Sequence, residues 1–86
     1  MKNWMLVCVT ERDIENPRFF ETEQEAFNEM CKDIADLTGL LLGEVIEGYH
    51  NGGDIGRDTY VGERYAYSDA GVCCDWRIFN IGGDIV

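Results

Sequence analysis

The sequence predicts an α+β fold: a three- to four-stranded, mainly antiparallel sheet with one main amphipathic helix packed on one face. Three observations carry this expectation. An apolar run opens the chain, a capping-box motif leads into a helix-periodic stretch, and two aromatic-rich extended runs flank a turn near the C-terminal end.

The elements follow in order. In Trp4–Thr10, Trp4, Leu6 and Cys8 alternate with Met5, Val7 and Val9, so both faces are apolar, the signature of a central strand. Glu11–Arg18 is a polar connection holding the only proline, Pro17, and Arg18–Glu21 adds a short extended piece with Phe19 and Phe20. Thr22 and Glu25 match the capping box S/T-x-x-E, in which each side chain satisfies the other's free backbone N–H. Ala26, Phe27, Met30, Cys31, Ile34 and Leu37 then recur on one side, and Gly39 is a natural stop, so residues 22–38 form one amphipathic helix. Leu40–Tyr49 reads equally as a second short helix or a strand, and His50–Asp58 as a Gly- and Asp-rich loop. Thr59–Tyr67 and Val72–Ile81 form two strands of a hairpin around Ser68–Gly71. The tail Gly82–Val86 is expected to fray. Its Gly-Gly-Asp-Ile run repeats residues 52–55, which is turn chemistry rather than a duplicated unit.

Eighty-six residues make one domain, 1–86, with a thin core reinforced by two Trp, four Tyr and four Phe. The apolar stretch at the start is too short for a membrane span and lacks a signal-peptide cleavage site, so a cytoplasmic location is expected. The four cysteines are then thiols. The net charge is −10, of which −8 lies in residues 11–47. Such a surface repels nucleic acid and anionic membrane and favours basic partners.

The catalytic inventory is sparse. Nucleophilic triads need a histidine or an equivalent base, and the chain has one histidine, His50, and one serine, Ser68, inside a predicted turn. Cys8 and Cys31 sit on apolar faces, Cys73 and Cys74 point to opposite sides of a strand, and no C-x-x-C occurs. Asn51, Asp54 and Asp58 offer oxygen ligands but lack a calcium-loop pattern. The expectation is a non-enzymatic protein without a cofactor or metal. A small-ligand or metal-ion module using loop 50–58 is the alternative.

Glu25, Glu29, Asp33 and Asp36 form a stripe on the helix opposite its apolar face. Acids near the helix N-terminus are favoured by the macrodipole, but Asp33 and Asp36 oppose it, and Glu25–Glu29 and Glu29–Asp33 are like-charged pairs at i,i+4. From Glu21 to Asp36 the acids average one per roughly 4 Å of axis, against about 3.4 Å between phosphates of a DNA strand. The stripe is therefore a candidate nucleic-acid mimic for a basic groove. The hairpin carries Tyr60, Tyr65, Tyr67, Trp76 and Phe79 with Arg64 and Arg77, residue types enriched in interface hot spots. Tyr65, Tyr67 and Trp76 are the candidate contacts, and the same face would serve a homodimer.

The opening strand, Phe20-Glu21-Thr22-Glu23-Gln24-Glu25-Ala26 entering a helix, and the closing Asp75-Trp76-Arg77-Ile78-Phe79 resemble short acidic proteins of bacterial phages and mobile elements. The resemblance implies, by role rather than by motif, kinship with acidic anti-CRISPR and other anti-defence inhibitors. The expected function is thus a protein-binding module, an inhibitor of a nucleic-acid-binding host protein, that occupies a basic groove and makes no direct contact with nucleic acid or membrane.

Overall fold

The computed structural model describes residues 2–71 and 73–82. β1 (Trp4–Thr10) and the short β2 (Arg18–Phe20) form a hairpin. Two helices follow, α1 (Glu23–Thr38) and α2 (Leu42–His50), and then β3 (Asp54–Gly56), β4 (Thr59–Val61), β5 (Tyr65–Ser68) and β6 (Cys74–Asn80). All pairings are antiparallel, and the six strands lie in the order β2-β1-β6-β5-β4-β3. The helices carry the chain from one edge of the sheet to the other. A four-strand meander then returns it to β1, so the two longest strands pair along their whole length at the centre.

The predicted helix, its capping box and its stop are present: Thr22 caps α1, Glu25 answers, and Gly39 closes it in the left-handed region. The ambiguous segment is the second helix. Glu44 bonds back to the Leu41 N–H at 2.9 Å, doing the second half of a capping box without a Ser or Thr. Two departures from the expected sheet have one cause each. The run Thr59–Tyr67 is two strands, because Gly62, Glu63 and Arg64 turn the chain and the Gly62 N–H bonds the Tyr65 carbonyl at 2.7 Å. The loop 50–58 contains β3, joined to β4 by Arg57 and Asp58, both at positive φ, a two-residue hairpin turn. Among the described residues the sheet therefore has six strands rather than three to four. The expected strand start at Val72 and the tail 83–86 lie outside the described residues.

Leu6 and Cys8 of β1, Cys74, Trp76 and Ile78 of β6, Ala66 of β5 and Val61 of β4 meet Ala26, Phe27, Met30, Cys31, Ile34 and Val45 of the helices in one core. Both helices lie on the same face, and the shortest dimension of the Cα trace is 17 Å. That thickness holds one sheet and one helical layer, since packed layers sit about 10 Å apart. Among the described residues no helix covers the opposite face of the sheet.

Candidate docking face

The acidic stripe is largely occupied by the fold itself. Arg18, on the edge strand β2, grips Asp33 through both guanidinium nitrogens and lies 3.6 Å from Glu29. The Trp76 indole N–H donates to the same Asp33 carboxylate at 3.2 Å. Glu29 also pairs with Lys32 at 3.1 Å. Asp33 is thus a tie between α1, β2 and β6, which explains an acid placed against the helix dipole better than a partner does. Along the stripe Glu25 and Asp36 remain exposed without an ion pair among the described residues. They lie eleven residues apart, about 16 Å of axis.

Trp76 is corrected as a contact residue. It shares β6 parity with Cys74 and Ile78, faces the helices, and is 2 % exposed. The residues on the other parity, Asp75, Arg77 and Phe79, face outward.

The uncovered face is built in rows by the strand register. Phe19, Met5 and Phe79 stand side by side across β2, β1 and β6; Val7, Arg77 and Tyr65 form the next row; Val9, Asp75, Tyr67 and Tyr60 form the third. Phe19 and Phe79 are each 44 % exposed, Tyr65 43 % and Tyr67 47 %. Their gathering on one face makes it the candidate docking face. Tyr60 stacks on Tyr65 at 5.5 Å between centroids and on Tyr67 at 6.1 Å. The Arg77 guanidinium lies 5.2 Å over the Tyr65 ring, a cation–π arrangement that fixes both groups. Tyr65 and Tyr67 are the predicted residues found together here. Tyr60, Phe19 and Phe79 join them, and the signal that would have placed Tyr60 is Gly62. A continuous strand puts residues 60 and 65 on opposite faces, whereas a turn at 62–64 returns them to one.

The remaining chemistry is dispersed. Ser68 is fully buried, with its hydroxyl 2.8 Å from that of Thr59. His50 ends α2 with its ring against Tyr49, beside a cleft of about 290 Å³ lined also by Glu23, Phe27 and Glu63. In the loop proposed for ligands, Asp54 accepts the Gly56 N–H at 3.0 Å and Asn51 closes α2. Among the described residues no group of three or more His, Cys, Asp or Glu is placed to hold a metal ion. No helix among them is long and apolar enough to cross a membrane.

The thiols divide by burial. Desolvation pushes Cys8 up to about 12, with Glu15 nearby adding to it, and burial alone pushes Cys31 up to about 12. Cys74 is buried, and Cys73 is exposed at the rim of the open face. Partial loss of hydration, then the charges of Asp69, Asp75 and Glu11, hold the Cys73 thiol above its ordinary value. Because the thiolate is the reacting form, native protein should consume one equivalent of a disulfide reagent, at Cys73, with a pH midpoint above that of a free thiol. Titration across pH 7–10, with and without denaturant, checks both statements. A second fast equivalent in the native protein would contradict the burial of Cys8, Cys31 and Cys74.

Comparison with protein-family models, curated proteins and solved structures finds no match in any of the three. The functional reading therefore stands on the geometry of the face.

Proposed function

We propose that this chain is a non-enzymatic protein-binding module that docks through the uncovered face of its sheet. The observation that carries the reading is the exposure of Phe19, Phe79, Tyr65 and Tyr67 on a face with no helical layer. Tyr and Arg anchors are typical of binding hot spots, and the stacked tyrosines and Arg77 are held by one another before any partner arrives. The strands at both sheet edges have only three residues. Short edges offer little template for strand addition, so side chains of the face rather than backbone at its margin provide the contact.

The surplus of acids selects against nucleic acid and against a second copy of equal charge, and in favour of a basic protein. In this reading an inhibitory role is occlusion of a basic surface by the aromatic face.

Affinity capture from a bacterial lysate with three immobilised proteins tests the reading. A species retained by the native chain and by Glu25→Gln/Asp36→Asn, but lost with Phe19→Ser/Phe79→Ser, supports docking through the sheet. Loss with the helix pair and retention with the phenylalanine pair would overturn it. Both phenylalanines are exposed, so the folded state should persist and circular dichroism confirms it.

A further inference from the structure

We propose that the concavity between the β3–β4 turn and the tyrosine stack is the seat for one positively charged side chain, arginine or lysine, of the protein partner. The inference rests on the docking reading above and names the chemistry of the occupant. The concavity measures about 330 Å³ and is lined by Asp54, Arg57, Asp58, Tyr60 and Tyr67. That is the lower end of the range for small-molecule sites, room for one long side chain rather than for a cofactor.

Its lining suits a cation. Tyr60 and Tyr67 lie almost parallel, 18° between ring planes, and aromatic rings attract cations. Asp54 is the register partner of Tyr60 and Asp75 that of Tyr67, so a carboxylate flanks the tyrosine pair on each side. Arg57 also lines the concavity, with its guanidinium engaged in donating to the Thr38 carbonyl at 2.7 Å, and the two lining carboxylates outnumber it. A phosphate group would meet these carboxylates and be repelled.

The neighbouring row shows what is absent from this one. Tyr65 is paired across the sheet with Arg77, which covers its ring. Tyr67, two residues on, is paired with Asp75 instead. One end of the stack thus has its cation supplied from within the chain, and at the other end Tyr67 stands between Tyr60 and Asp75 with no cation as its register partner. Arg77 is the one cationic side chain among the described residues of the three rows, and it is already engaged with Tyr65 and the Trp76 carbonyl. A second copy of the chain accordingly has no free cation on this face to offer. A basic partner does, and the net charge of −10 draws it in at long range.

The test is a site-resolved NMR titration of the full chain with the peptide acetyl-(Arg-Gly)4-amide and, separately, acetyl-(Glu-Gly)4-amide. The expected result is saturable shifts of Tyr60, Tyr67, Asp54 and Asp75 with the basic peptide alone. Tyr67→Leu and Asp75→Asn should each weaken binding about tenfold, a loss of about 1.4 kcal/mol, and Tyr67→Phe, which keeps the π face, should retain it. Shifts confined to Glu25, Glu29 and Asp36, an equal response to the acidic peptide, or a titration unchanged by Tyr67→Leu would each overturn the proposal. Capture separates the two readings. If Phe19→Ser/Phe79→Ser loses the partner while Tyr67→Leu and Asp75→Asn both keep it, the docking face stands and the cation seat falls. If none of these variants loses it, both fall.

Discussion

Asp33→Ala is expected to destabilise the domain by about 2 kcal/mol, most of it from one stranded hydrogen-bond donor. Trp76 is buried, and its indole N–H loses its acceptor; an unsatisfied buried donor costs about 1–3 kcal/mol. Arg18 loses its bidentate partner too, but its side chain is 36 % exposed and rehydrates, so that loss falls in the range of surface pairs, about 0–1 kcal/mol. In a domain of this size each kcal/mol moves Tm by roughly 4–8 °C, and thermal unfolding should therefore show a drop of about 8–16 °C. Asp33→Asn keeps an oxygen for the indole and should lose about half as much. Asp36→Ala, on the same stripe but outside the tie, should stay within about 0.5 kcal/mol of the native protein. A drop at Asp33 no larger than at Asp36 would mean that water satisfies the indole. The result bears on function as well: reversing the charge of Asp33 tests the fold before it tests binding, and Glu25 serves the capping box, so Asp36 is the position at which an electrostatic role of the helix is measured cleanly.

Local rules made much of this fold legible. The capping box at Thr22 and Glu25, the apolar period of α1 and the alternation in β1 each depend on residues within a few positions, and each element formed where those residues put it. The misses arose where a local signal had two meanings. Gly62 served as the turn that splits one run into β4 and β5, and Arg57 and Asp58, of which only Asp is a usual residue for left-handed turn positions, close the β3–β4 hairpin. The outward row of the face depends on both turns, since they bring Tyr60 beside Tyr67. The inward place of Trp76 was readable from parity, because Cys74 and Ile78 share its side while Asp75 and Arg77 take the other. The role of Asp33 was not, because its partners Arg18 and Trp76 lie 15 and 43 residues away and meet only through the pairing of β1 with both β2 and β6.

Gly53→Ala is expected to cost more, about 2–5 kcal/mol, and to damage the candidate cation seat in the molecules that still fold. Gly53 has φ +95°, which L residues rarely adopt, and a Cβ there would stand 2.6 Å from the Tyr60 ring and 2.7 Å from the Val61 carbonyl oxygen. Backbone strain of this kind costs about 1–2 kcal/mol, and crowding in a packed site adds about 1–3 kcal/mol. The ring can swing, but the Val61 carbonyl cannot yield freely, because the Val61 N–H is bonded to the Gly53 carbonyl at 2.8 Å and holds the two segments together. Gly52 provides the control. It has φ +114° and nothing within 4 Å of a would-be Cβ, so Gly52→Ala carries the strain without the crowding and should lose only about 1–2 kcal/mol. Urea denaturation of the two variants separates the contributions: equal losses would show that crowding at Gly53 is relieved at no cost. Swinging Tyr60 away from the new methyl breaks its stacking with Tyr65 and Tyr67, so under folding conditions Gly53→Ala should also bind the arginine–glycine peptide more weakly, while Gly52→Ala binds it like the native chain.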